Sequence, residues 1–303
     1  MEQTNAKVLF EGKIPEVSVE QIRREGNFSM ARQHFHSSYE IYYLLEGERS
    51  YFIESKTYHV LRGNLIFVGS GQIHKTTMIS PVHERILLEI SENLMERFCR
   101  ETGVRPAFSM RSGVLKLEER ERKRAESLLF RIIAELREKR PAYEREIQAL
   151  LEELLIFILR KGNSSEREYP AVKSVKHRKV GEVADYIRAN FSEISSLDFL
   201  SERFYISKYY LCRIFKEVTG MTISQYLNAN RLKAAERMLR ESSDSIIRIA
   251  AASGFGNVTY FDKIFRESMG LSPSQYRKSR EDSLRAGANH RERGGRNESK
   301  PAE

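Results

Sequence analysis

The chain has 303 residues and a mass of 35.3 kDa, enough for two or three domains that each bury a core. Apolar residues at 40% and charged residues at 31% place it among ordinary globular proteins, and the longest purely apolar run, LLIFIL at 154–159, is too short for a membrane span. The 51 lysines and arginines against 42 acids give +9, which points to a polyanionic partner.

The amino terminus, MEQTNAKVLFEGK, lacks the apolar stretch of a secretion signal, so the cytoplasm is the expected location. Cys99 and Cys212 lie too far apart for a disulfide framework or a zinc spacing.

In chain order, short alternating runs come first, from Phe28 to about Ile90: EIYYLL, SYFIES, NLIFVGS and ERILLEI, broken by Gly47, Gly63, Gly69 and Gly71. They predict a small antiparallel barrel or sandwich, a domain over 1–90. In an unbroken strand through HFHSSYEIYYLLEG, the residues His34, His36, Glu40 and Tyr42 share one face, and His74 follows at the end of GNLIFVGSGQIH.

Over 91–162 the period becomes helical. Leu128, Leu129, Ile132, Ile133 and Leu136 form one stripe, and Ile147, Leu150, Leu151, Leu154 and Ile158 another, with Pro141 between them. This predicts a helical hairpin that packs on its own domain, with dimerisation or coupling as a second use. Residues 163–176 read as a polar linker, 177–280 as an all-helical domain, and 281–303 as a disordered tail in which basic and acidic residues balance.

The helical domain contains a repeat. YLCRIFKEVTGMTISQY, from Tyr210 to Tyr226, returns fifty residues later as YFDKIFRESMGLSPSQY, from Tyr260 to Tyr276. The pairs Tyr210/Tyr260, Ile214/Ile264, Phe215/Phe265, Glu217/Glu267, Gly220/Gly270, Ser224/Ser274, Gln225/Gln275 and Tyr226/Tyr276 are identical. Leu211, Ile214, Phe215 and Val218 fall on one helical face, Gly220 is placed to end the helix, Thr222 to cap the next and Ser207 to start this one. The short helix LDFLSERF and the turn YIS precede it. The second copy repeats the plan with Ile246, Ile249 and Ala250, a Gly254-Phe255-Gly256 turn one residue longer, and Asn257 as cap.

A short helix, a tight turn and a capped second helix make a helix-turn-helix, whose second helix enters the major groove. Off the apolar stripe lie Lys208, Tyr209, Cys212, Arg213 and Lys216 in the first copy, and Thr259, Asp262, Lys263 and Arg266 in the second. Both outer faces are net basic. A charged helix face can be merely solvated, but two such copies are what reading two successive major grooves requires.

From about Val180 to Arg277 the chain resembles the DNA-binding domain of the AraC/XylS family of bacterial transcription regulators, on YLCRIFKEVTG, YLNANRLKAAERML, IRIAAASGF, YFDKIFRESMG and SPSQYR in family order. The resemblance implies a central helix from Ile223 to about Leu239 that spaces two reading helices. It also implies base contacts from Tyr209, Cys212 and Arg213 and from Thr259, Asp262 and Lys263. Arg213 leads these, because arginine can bond guanine bidentately. Ser201 stands where the family usually has alanine, and Cys212 and Asp262 are unusual readers.

The amino-terminal runs resemble a cupin, the barrel that many such regulators use as a sensor. His34, His36, Glu40 and His74 match the order of cupin metal ligands. The alternative, preferred here, is that they and Tyr42 line an effector pocket with no metal and no cofactor.

The expected fold class is therefore α+β: an amino-terminal cupin-like β-barrel with a helical hairpin, then an all-α double helix-turn-helix. The expected function is a sequence-specific regulator, an activator rather than a repressor and not an enzyme. Its expected partners are double-stranded DNA, a small effector such as a sugar, RNA polymerase and a second copy of itself, with no membrane. A metal-dependent cupin enzyme with a DNA-binding appendage is the alternative.

Overall fold

The structure, a computed structural model, describes residues 5–26, 38–104, 112–164 and 174–279. The histidines at 34 and 36, most of the linker over 163–176 and the tail over 281–303 lie outside them.

Strand β3 (Ser38–Glu46) shows why the first region folds as it does. From Tyr39 to Leu45 its run is apolar or aromatic at every position but Glu40, because both faces are covered in the middle of the strand. Ile41 and Tyr43 point to one side, Glu40, Tyr42 and Leu44 to the other.

Around β3 stand β1 (Asn5–Ile14), β2 (Val17–Glu25), β4 (Glu48–Ile53), β5 (Lys56–Leu61), β6 (Leu65–Val68), β7 (His74–Met78), β8 (Val82–Ser91) and β9 (Gly113–Leu115). They form a six-stranded sheet in the order β1-β2-β8-β3-β6-β9 and a three-stranded sheet in the order β5-β4-β7, antiparallel throughout. The expected barrel is thus two facing sheets that no strand pairing closes among the described residues. Tyr42, Leu44, Ile66 and Val68 meet Tyr51, Ile53, Tyr58 and Val60 between them.

The other face of the large sheet is covered by α1 (Glu92–Thr102), α2 (Glu119–Glu138) and α3 (Tyr143–Ser164). Ser91 caps α1 by accepting from the Leu94 amide at 3.2 Å, and Gly103 ends it in the left-handed conformation. The two predicted stripes of α2 and α3 pack into the core with Ile41, Leu65, Phe67 and Leu88 of the sheet. Strands β1, β2 and β9 are additions to the sequence reading, which began its strands at residue 28 and took 91–162 as wholly helical.

The remaining helices are α4 (Val175–Asn190), α5 (Leu197–Phe204), α6 (Lys208–Thr219), α7 (Ile223–Glu241), α8 (Ile246–Ala252) and α9 (Val258–Met269), followed by helical residues 273–279. The described chain divides into two compact units. One holds the residues up to Asp185 together with Leu200–Tyr226; the other holds Tyr186–Phe199 and the residues from Leu227 onward.

In the first unit the outer face of the three-stranded sheet lies against the end of α6 and the first turn of α7. The Tyr226 hydroxyl donates to the Glu54 carbonyl at 2.6 Å, and its ring meets Phe52 and Phe215 at 5.9 and 5.6 Å. Lys75 Nζ donates to the Gly220 carbonyl at 2.5 Å, adding a cation at the helix C-terminus, where the dipole favours one. Burial, and then the charge of Lys216, hold this ammonium below its ordinary pKa.

In the second unit Arg231 ties the elements together. Its Nε and Nη2 donate to the carbonyls of Phe191 and Ile194 at 3.0 and 2.7 Å, and its guanidinium lies 5.7 Å from the Phe255 ring centre.

Candidate nucleic-acid interface and buried polar site

The repeat folds as two copies of one local design. Ser207 Oγ accepts from the Tyr210 amide and Asn257 Oδ1 from the Tyr260 amide, so each second helix begins on a side-chain cap. Each ends at a glycine with φ of 73°, Gly220 or Gly270, a conformation that β-carbon crowding makes costly for other residues.

Reciprocal capping boxes then follow. In the first, Thr222 N bonds Gln225 Oε1 at 2.9 Å and Gln225 N bonds Thr222 Oγ1 at 3.2 Å; in the second, Ser272 and Gln275 do the same at 3.0 and 3.3 Å. Tyr226 and Tyr276 each stand edge-on to the phenylalanine of their own copy at 5.6 Å.

The turns inside the two units correspond as well. Ile206 N bonds the Ser201 carbonyl and Phe255 N the Ala250 carbonyl, while Tyr205 and Gly254 take positive φ of 54° and 84°. Ser201 also donates its hydroxyl to the Ile206 carbonyl at 2.7 Å, which gives the serine at the alanine position a partner.

On α6 the residues Lys208, Tyr209, Arg213 and Lys216 are exposed, Tyr209 to 81%, and Cys212 is half-buried. The Arg213 guanidinium lies 5.2 Å from the Tyr210 ring centre. On α9 the residues Thr259, Lys263 and Arg266 are exposed, and Asp262 is half-buried and paired with Arg266 at 3.0 Å. That pair neutralises the one acid among the expected readers of this helix. Tyr205, at 96% exposure, and Tyr210 and Tyr260 are also presented to solvent. The sequence reading counted the last two only as repeat identities, although their equal places in both copies are a signal of shared use.

Between the sheets of the first unit lies a second group of polar residues. Glu40 and Tyr42, on the predicted shared face, are both buried, and His74 Nε2 comes within 3.2 Å of Glu40 Oε2. Burial alone would depress the His74 imidazole; the Glu40 carboxylate and the Gln72 carbonyl outweigh it and hold the pKa above its ordinary value. The Tyr51 ring stacks on His74 at 6.2 Å and meets the Tyr42 ring edge-on at 5.4 Å. Of the four residues in cupin ligand order, Glu40 and His74 are the ones described, and among the described residues no group of three or more His, Cys, Asp or Glu side chains is placed to hold a metal.

Beside them the strands place three arginines that the sequence reading passed over. Arg24 pairs with His83 across β2 and β8, Arg85 stands two residues further along β8, and Arg49 sits on β4 two residues before Tyr51, in the same inward register. Arg49 is fully buried and Arg85 nearly so. Alternation could have found Arg49, whose strand has Tyr51 and Ile53 at its other inward positions, but the inward faces of β2 and β8 also carry Ser18, Glu20, His83 and Glu89, which hides Arg24 and Arg85. Among the described residues no helix is long and apolar enough to cross a membrane.

Residues 18–155 match the model of the AraC-like ligand binding domain, and residues 200–279 a helix-turn-helix domain. The HTH-type transcriptional activator RhaR of Mannheimia succiniciproducens is 23% identical over 278 residues, 84% of this chain and 93% of that protein. The HTH-type transcriptional activator RhaS of Escherichia fergusonii is 37% identical over 99 residues, 33% of this chain and 36% of that protein. The HTH-type transcriptional regulator YisR of Bacillus subtilis is 32% identical over 131 residues, 43% of each chain. The match thus spans less than half the length of the last two. The crystal structure of ToxT from Vibrio cholerae O395 covers 87% of this chain and 98% of its own at 12% identity, with a TM-score of 0.38.

Proposed function

Because this chain belongs to the AraC family of transcription regulators, with a ligand-binding domain ahead of a helix-turn-helix domain, we propose that an effector held between its two sheets controls where and how it binds DNA. The observation that carries this reading is the paired design of α6 and α9. Two helices capped to one plan expose basic and aromatic side chains, the footprint of recognition helices, on a chain with net charge +9.

In this reading Tyr209, Cys212 and Arg213, with Thr259, Asp262 and Lys263, face base edges. Lys208, Lys216 and Arg266 face phosphates, and Ser207 and Asn257 keep the helix starts in place beside them. Glu40, Tyr42 and His74 belong to the effector site, with His34 and His36 as its expected continuation. The role is that of a cytoplasmic activator and not an enzyme, working as a homodimer with RNA polymerase as a further partner. The apolar stripes of α2 and α3 are taken up by the domain's own core, so a dimer contact through the hairpin would use residues left outside, such as the exposed Phe130.

The test is selection of fragments from genomic DNA by the purified full-length chain, followed by affinity measurements over a salt series. Retention of a few related sequences, with affinity falling steeply as salt rises, is expected. Retention of none, or of all alike, would count against the reading.

A further inference from the structure

Three guanidiniums meet between the two sheets. Arg24 and Arg85 come from one face of the six-stranded sheet and Arg49 from the facing strand β4. Arg85 is anchored on one side only: its Nη2 donates to Glu20 at 2.5 Å and its guanidinium lies 5.7 Å from the Tyr42 ring centre, while its Nη1, buried, meets no hydrogen-bond partner among the described residues. The Tyr42 hydroxyl is in the same position: the residue is 2% exposed and its oxygen is buried with no partner among the described residues. Arg49 uses its Nε on Thr76 at 3.0 Å.

We propose that this place between the sheets receives a small organic oxyanion, a carboxylate or phosphate ester, bonded by Arg85 and Tyr42 and neutralised by Arg24 and Arg49. This rests on the reading above that the domain holds the effector, and it replaces a neutral sugar with an acid as the class of ligand. Buried donors without acceptors destabilise the fold until one arrives, and a planar guanidinium fork fits a two-oxygen anion.

The surroundings agree. His83 is held neutral, its pKa pushed down to about 3 by burial and then by the charges of Arg49, Arg24 and Arg85, so all three cations act on one spot. Burial and mutual repulsion also lower the pKa values of Arg24 and Arg49. The cleft of about 460 Å³ next door, over β1, β2 and β8, is lined by Glu11, Glu20 and Glu89 with Lys13. Three carboxylates against one ammonium make the cleft unfavourable for an anion, whereas Glu20, shared with the arginines, offsets one of their three charges and leaves that group net cationic.

The test uses the full-length chain at constant ionic strength, with acetate, inorganic phosphate, glucuronate, glucose 6-phosphate and neutral glucose as probes. Melting temperature and affinity for a DNA fragment recovered in the selection above are both followed. At least one oxyanion is expected to raise the melting temperature saturably, while glucose does not. Arg85→Gln should raise the midpoint concentration about tenfold or more, the loss of one charge-assisted bond, and Arg85→Lys by less; both should leave ligand-free DNA affinity unchanged. An arginine that serves the fold alone would lower the ligand-free melting temperature and leave the midpoint where it was. The proposal is overturned if glucose acts as strongly as the oxyanions, or if the oxyanion response survives in the Arg49→Gln/Arg85→Gln double variant. In either case the effector reading stands and only the charge class falls. If no probe moves either readout, the effector reading falls with it.

Discussion

Arg213 and Lys216 stand one turn apart on α6, both exposed and both cationic, yet they are suited to different tasks. A guanidinium steadied on the Tyr210 ring can present its fork to a base edge, whereas a lysine is a flexible point charge. Arg213→Ala is therefore expected to cost about 1–3 kcal/mol at particular base pairs and to relax specificity there. Lys216→Ala should weaken all sequences alike and flatten the salt dependence. Equal profiles for the two variants on a panel of mutated sites would remove the distinction. His83 carries a prediction of another kind. Its folded pKa of about 3 lies below the ordinary 6.5, so between these values the unfolded chain binds more protons than the folded one. Stability should then fall as pH drops through that window, by up to about 1.4 kcal/mol per pH unit, and His83→Gln should flatten the loss in urea unfolding followed from pH 7 to 4. A wild-type slope unchanged by the substitution would show that other groups set it.

At the scale of elements, punctuation was the most legible part of the sequence. Ser207, Asn257, Gly220, Gly270 and Thr222 all hold the helix ends that their chemistry predicts, because capping is settled by neighbours three or four residues away. Strands β1 and β2 were not legible. Their hairpin reverses at Glu16, which takes a positive φ of 71° without a glycine, and most of β1 is exposed or half-buried with no clear alternation. Strand β9 has three residues, too few for any period to show. The two repeat glycines share a φ of 73° but not their surroundings. A β-carbon on Gly270 would meet nothing within 4 Å, while one on Gly220 would come within 2.6 Å of Thr77 Cγ2. Gly270→Ala should thus cost about 1–2 kcal/mol, from the left-handed conformation alone. Gly220→Ala should cost measurably more, and Gly220→Ala combined with Thr77→Ser should recover the difference in thermal unfolding.

On the scale of the whole molecule, sequence reading divided the chain at a polar stretch, while packing gathers Leu200–Tyr226 with the amino-terminal residues. No periodicity could show this, because it depends on which side chains the outer face of a three-stranded sheet happens to offer. Nor could local patterns reveal that Arg24, Arg49 and Arg85 converge, since β2 and β8 are joined by register while β4 belongs to the facing sheet. The contact offers a route for the proposed control: Phe52 and the Glu54 carbonyl hold Tyr226, which follows α6. Tyr226→Phe removes one hydrogen bond, worth about 0.5–1.5 kcal/mol, and should weaken the dependence of DNA affinity on effector more than DNA affinity itself. Full retention of the effector response in both Tyr226→Phe and Phe52→Ala would exclude this route.

Strand β4 serves two surfaces at once. Arg49, Tyr51 and Ile53 face the space between the sheets, and Phe52, between the last two, faces Tyr226 in the first turn of α7. If the effector is held between the sheets as proposed, what the molecule recognises and what it reports to would be written on alternate residues of a single six-residue segment. A lineage, or a protein engineer building a biosensor, could exchange the inward residues to admit a different chemical cue and keep the output side chain as it is. Tuning and signalling would evolve as separable traits in this segment, although only about 3–4 Å of backbone separates one residue from the next.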